Sequence, residues 1–164
     1  MRGAATAVAA LGAVAILPVV AAGQVPSSSP PIQAELPALV VRAVPAQAGA
    51  RPVQLVFRLR GKLSCTSPTV SVEVGLSSGV RMPVTLPPRD VLVNGVTART
   101  ATVTGHVVAL TTRPRAKACG PFAGDAITVA FTDGARLGNP KAPGTYRLWM
   151  RAGRLSGTAT LLVH

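Results

Sequence analysis

Two histidines, five carboxylates, two cysteines and several regularly spaced cations are the residues of this 164-residue chain whose types could carry chemistry. Nucleophilic hydrolysis needs a Ser or Cys, a histidine to take its proton and a group that orients the histidine. Only His106 and His164 are present, and no Gly-x-Ser-x-Gly elbow occurs. His106 follows Gly105 in a strand-turn setting and reads as an edge or half-buried structural histidine. Paired-carboxylate chemistry needs two acids held close together. Of the five acids, Glu35 falls in a linker, Glu73 on a solvent-facing strand position, and Asp90, Asp125 and Asp133 at turns. Aspartate at a turn commonly caps the backbone. Zinc would want several Cys or His ligands, and a calcium site built on Asp125 and Asp133 lacks the dense oxygen ligands that ion needs. The sequence therefore predicts no catalytic residue, no metal and no cofactor.

The cations are more regular. Arg58, Arg60 and Lys62 stand at i, i+2 and i+4, so a strand displays them as a row on one face. Arg147, Trp149 and Arg151 repeat the spacing with an aromatic between the cations, and Arg113, Arg115 and Lys117 repeat it again. Such rows could hold a polyanion: a teichoic-type envelope polymer, anionic lipid headgroups or extracellular nucleic acid. Trp149 could stack on a sugar or a base beside its flanking arginines. No recognition motif accompanies the charge, which argues against nucleic acid. The competing reading is favoured: these are solvated strand faces, arginine guards edges against pairing, and Trp149 covers a neighbouring strand. The chain carries 17 Lys and Arg against 5 Asp and Glu, a formal charge of +12. Fourteen of the 17 are Arg, amid abundant Ala, Gly, Val and Pro. A GC-rich genome supplies that mixture, so the arginine excess is not by itself evidence of function.

The elements that must position these residues begin with a leader. Residues 1–23 read as a signal peptide: Arg2 supplies the positive end, Gly3 to Leu17 an uncharged apolar stretch, and Val20-Ala21-Ala22 small residues for cleavage. Cleavage after Ala22 or Gly23 leaves a mature chain starting at Gly23 or Gln24. An uncleaved signal anchor is the alternative, because the apolar stretch nearly spans a bilayer. Residues 24–37 (QVPSSSPPIQAELP) have no periodicity and four prolines, and read as an extended Pro/Ser linker. In an exported chain the pair Cys65 and Cys119 predicts a disulfide. Closing a loop of that length would stabilise the fold by about 4 kcal/mol on the chain-entropy estimate. Two unrelated buried thiols are the alternative.

From residue 38 to 164 the pattern is that of strands. Val53, Leu55, Phe57 and Leu59 face one way, as do Val70, Val72, Val74 and Leu76, then Ile127, Val129 and Phe131, then Tyr146, Leu148 and Met150. A period of two with one apolar side is the mark of antiparallel strands packed on one face. Further strands are expected near 38–44, 80–86, 90–93, 96–104, 106–112 and 155–163. Asn94-Gly95 between Val91-Leu92-Val93 and Val96 predicts a tight hairpin. Only five aromatics are available, so the core must come from Val, Leu, Ile and Ala. About seven to nine short strands without helices point to an all-β sandwich.

Three stretches carry a resemblance: Ala126-Ile-Thr-Val-Ala-Phe followed by Gly138-Asn-Pro, then Pro143-Gly-Thr-Tyr-Arg-Leu, and upstream Val91-Leu-Val-Asn-Gly-Val. Together they resemble the immunoglobulin-like repeats of bacterial secreted and S-layer-type surface proteins, over roughly residues 50–163. The resemblance implies an Ig-like antiparallel sandwich and a secreted, non-catalytic structural or adhesion module at the cell envelope. It carries no functional residue over; the cation rows and the leader make an envelope polymer or another surface protein the expected partner, with the membrane met only in transit. The chain departs from such repeats in having a single copy and two cysteines. Trp149 follows both cysteines, unlike the Cys…Trp…Cys order of antibody-type domains.

Overall fold

The computed structural model describes residues 38–62, 69–112 and 125–164. Among them ten strands form two five-stranded antiparallel sheets. The strands are β1 (Leu39–Val44), β2 (Gln54–Arg60), β3 (Val70–Gly75), β4 (Val91–Val93) and β5 (Val96–Thr97). They continue with β6 (Thr100–Thr104), β7 (Val107–Thr112), β8 (Ala126–Phe131), β9 (Gly144–Ala152) and β10 (Leu155–Val163). The first sheet runs β1-β2-β8-β4-β5 and the second β10-β9-β3-β7-β6. The two sheets form an antiparallel β-sandwich, the architecture expected from the alternation and in keeping with the Ig-like resemblance. The signal peptide, the linker, both cysteines and the Arg113–Arg115–Lys117 row lie outside the described residues.

Each strand buries one side because its sequence alternates. In β2, Leu55, Phe57 and Leu59 are buried while Gln54, Arg58 and Arg60 are exposed. In β9, Leu148, Met150 and Ala152 are buried, and Arg147 and Arg151 are exposed. The two inner faces meet in one cluster built mostly of Leu and Val, with Ile, Met, Ala and Phe. Its largest members are Phe57 and Phe131, 0% and 1% exposed. Their rings meet edge-on, with centroids 6.1 Å apart at 73°, an arrangement that aligns the positive edge of one ring with the negative face of the other.

Two expected strands came out differently. The 96–104 span is not one strand but two, in different sheets, which takes the number of strands to ten. The amide of Ala98 donates to Val91 O in the first sheet, and that of Arg99 donates to Thr111 O in the second. The chain thus changes sheets between adjacent residues, with Ala98 buried at the crossing, which periodicity cannot reveal. The 80–86 span forms only a single bridge, Arg81 to Gly138. Pro83 within it and Pro87-Pro88 behind it remove the amides a ladder needs, and Val80 and Leu86 serve instead as buried plugs. The Asn94-Gly95 hairpin is present as expected: both residues have positive φ, 48° and 78°, joining β4 to β5.

The Gly138-Asn139-Pro140 stretch closes one end of the sandwich. Asn139 is 2% exposed, and its Nδ2 donates to Pro45 O at 2.9 Å and Gln47 O at 2.8 Å. Its backbone amide donates to Ala50 O. Arg81 completes the knot, its guanidinium donating to Gly49 O, Ala50 O and Asn139 O. At the start of β9 the Tyr146 hydroxyl donates to Ala142 O at 2.7 Å, so the Gly-Thr-Tyr stretch pins the loop that precedes it. This resembles the tyrosine corner of Ig-type sandwiches.

Candidate binding faces

The six residues that the spacing singled out do not form one site. Arg58 and Arg60 lie on β2 in the first sheet, and Arg147, Trp149 and Arg151 on β9 in the second. All five point away from the shared core, so the two groups occupy the two opposite outer faces of the sandwich. Lys62 lies just beyond β2, its Nζ 3.2 Å from Asp125 Oδ1. Both side chains are well exposed, and such a pair adds little to stability.

On the second sheet the register sets Glu73 directly opposite Arg151, and Gly75 opposite Trp149. Arg151 donates to Glu73 Oε2 through Nη2 at 2.6 Å and Nε at 3.1 Å. Glu73, placed by the sequence on a solvent face, is therefore the partner that neutralises one of the two candidate cations there. Gly75 leaves the space that Trp149 fills: a Cβ at Gly75 would fall inside the indole, against Nε1, Cε2 and Cδ1. Trp149 thus lies across β3 and covers the neighbouring strand. Around it the face carries hydroxyls, with Thr158 paired to Trp149 and Ser156 to Arg151.

That geometry makes a sharp expectation. In Gly75→Ala the methyl and the indole compete for one place, and the indole must leave. The variant should lose about 1–3 kcal/mol, the range for overpacking, and because Trp149 is the only tryptophan its emission should shift to the red. Unchanged emission and an unchanged denaturation midpoint would show that the indole does not rest on Gly75.

On the first sheet the sequence reading missed a residue. Arg42 on β1 points outward between Val40 and Val44, and the pairings Arg42↔Val56 and Val40↔Arg58 make it a diagonal neighbour of Arg58. The signal was present in the inward alternation of Leu39, Val41 and Ala43, but Arg42 has no second cation two residues away on its own strand. Among the described residues Arg42, Arg58 and Arg60 make no ion pair.

The groups that might do acid–base or metal chemistry are scattered. His106 is exposed in the β6–β7 turn and His164 at the end of the chain. Asp133 accepts from Gln54 Nε2 at 3.3 Å, and the Asp90 backbone carbonyl accepts from the amide and hydroxyl of Thr132. Among the described residues no three His, Cys, Asp or Glu side chains gather where they could hold a metal.

No protein-family model matches the sequence, and no curated protein is similar to it. Solved structures similar to the chain include three bacterial proteins. The bacterial hydrophobin BslA superimposes with a TM-score of 0.52 at 17% identity, over 77% of this chain and 96% of that one. The N-terminal domain of the Streptococcus gordonii adhesin Sgo0707 gives 0.46 at 14% identity, over 78% of this chain and 33% of its own. The Corynebacterium diphtheriae major pilin SpaA gives 0.37 at 11%, over 70% and 31%.

Proposed function

We propose that this chain is an exported, non-catalytic Ig-like module that works at the bacterial cell envelope as a structural or adhesion domain. The observation that carries the reading is the sandwich itself: the chain shares its fold with a bacterial hydrophobin over 77% of its own length and 96% of that protein's. The leader-like residues 1–23 and the Pro/Ser linker support an extracytoplasmic placement. The likeness to S-layer-type repeats belongs to the same reading, as does a bridge between Cys65 and Cys119 in the oxidising compartment. The most exposed large hydrophobics among the described residues are Val40, Val44, Val84 and Leu162. Val40 and Val44 lie on the outer face of the first sheet, Leu162 on that of the second, and Val84 in a loop.

The second reading, a basic protein that binds an anionic polymer or surface, is favoured by one observation: Arg42, Arg58 and Arg60 share one face and make no ion pair among the described residues. The cations of β9 support it less, since Glu73 already neutralises Arg151.

N-terminal sequencing of protein recovered outside the cell tests the main reading. The expected mature chain starts at Gly23 or Gln24, and unreduced tryptic peptides of the same material should contain the Cys65–Cys119 crosslink. Protein found only inside the cell would reject the envelope role. A membrane-retained form that keeps Met1 would replace secretion with an anchor, and two freely alkylated thiols would remove the disulfide.

A further inference from the structure

The outer face of the first sheet combines two properties that seldom meet on a solvated surface. Its cations are concentrated and, among the described residues, make no ion pair. Arg58 and Arg60 alternate along one strand, roughly 7 Å apart, and Arg42 sits diagonally across from Arg58, about 7–8 Å away. Like charges at such spacings repel, and Asp125, which lines a cleft with Arg58 and Arg60, is engaged by Lys62. Apart from Gln54, Thr128 and Thr97, the rest of the face is apolar. Val40 and Val44 are 41% and 62% exposed. Val56, Ala126, Ala130 and Leu92 continue the surface across β2, β8 and β4, half-buried. The register keeps the two classes interleaved: Arg42, Val56, Ala130 and Leu92 follow one another across four strands. Arg58 and Arg60 with Val40 and Ala126 also line a shallow cleft, with Asp125 on its lip.

A soluble polyanion would satisfy the arginines but would leave the valines in water. A lipid bilayer with anionic headgroups satisfies both, because its interface offers negative charge at the surface and apolar depth just beneath it. We infer that the Arg42–Arg58–Arg60 face of the first sheet is a docking surface for an anionic lipid bilayer, with Val40 and Val44 entering the interface between the arginines. The inference rests on the envelope placement proposed above, because it needs the folded domain to meet a membrane surface from outside. It shifts the binding role away from the Arg147–Trp149–Arg151 face, whose charge is partly spent on Glu73.

The test is co-sedimentation of protein recovered outside the cell with vesicles of mixed phosphatidylglycerol and phosphatidylcholine, against vesicles of phosphatidylcholine alone. Each arginine near an anionic leaflet is worth about a fivefold gain in affinity, so changing Arg42, Arg58 and Arg60 together to Gln should cost about a hundredfold. A control removing Arg89, Lys141 and Arg154, which lie on other elements, carries the same net charge and should cost far less. Val40→Ser with Val44→Ser should weaken vesicle binding but leave any binding to soluble polyphosphate unchanged. All three variants alter exposed side chains, and a urea denaturation midpoint near that of the parent confirms that each is folded. Equal losses in the two triple variants would mean diffuse attraction and would overturn the inference. So would vesicle binding indifferent to the valines, which would assign the face to a soluble polyanion, and so would no binding to anionic vesicles. Failure of export is read separately, from the N-terminus, so either proposal can fall without the other.

Discussion

Phe57→Ala is expected to destabilise the domain by about 3–5 kcal/mol, the usual cost of emptying a buried aromatic site. Phe57 is completely buried at the middle of β2, and its ring meets Phe131 edge-on. The loss therefore combines the transfer of the ring to water, the cavity left behind and the aromatic pair itself. A core this short of aromatics has little with which to refill the space, since its other large members are Leu, Ile and Met. Domains are commonly stable by only about 5–15 kcal/mol, so a large share of the total is at stake. Urea denaturation should show a lower midpoint with an unchanged slope, the sign of lost stability without a change in mechanism. Phe57→Leu keeps most of the volume and should cost much less. A drop below about 1 kcal/mol for the alanine variant would place Phe57 outside the centre of the core.

Asn139→Asp is expected to be nearly as damaging and to depend on pH. The change keeps the shape of the side chain but replaces the NH2 group, which donates to Pro45 O and Gln47 O, with an acceptor. At neutral pH a carboxylate at a 2% exposed position would face two carbonyl oxygens, and an unpaired buried charge costs about 3–5 kcal/mol. Protonation removes the charge and restores one donor, so the folded-state pKa of the introduced Asp must lie above its unfolded value. The sign then follows: the protonated form's stability is fully present below the unfolded carboxyl pKa and is lost as pH rises through the folded pKa. The gap between the parent and the variant should therefore narrow as pH falls. Denaturation midpoints at neutral and acidic pH measure it directly. A pH-independent gap would mean that the side chain is not held between those two carbonyls. Asn139→Ala, which removes the donors without adding charge, should cost less and show no such pH dependence.

The alternation in the sequence determined most of the architecture. Residues 53–59, 70–76, 127–131 and 146–151 each bury the side that the period of two assigns to the core. Asn94-Gly95 specified its own turn, because only such residues accept positive φ at both positions without strain. The shortage of aromatics likewise dictated an aliphatic core. These features are local, or repeat at short range, and so can be read along the chain. Even the exposed cations were legible one strand at a time.

Tertiary structure decided which of those cations belong together. The spacing groups Arg58 and Arg60 with Lys62, yet Lys62 lies beyond the strand and pairs with Asp125, and the cation beside Arg58 across the sheet is Arg42 on another strand. Arg147, Trp149 and Arg151 were read as a second row, yet Glu73 and Gly75 opposite them decide what that row can do. The split of residues 96–104 between two sheets has the same origin, since it depends on whether Val91 or Thr111 offers the next carbonyl. The reason is physical: cross-strand register is set by contacts between residues tens of positions apart. Along one strand a side chain's neighbours are known from the spacing, but across the sheet they are known only once the strands have paired.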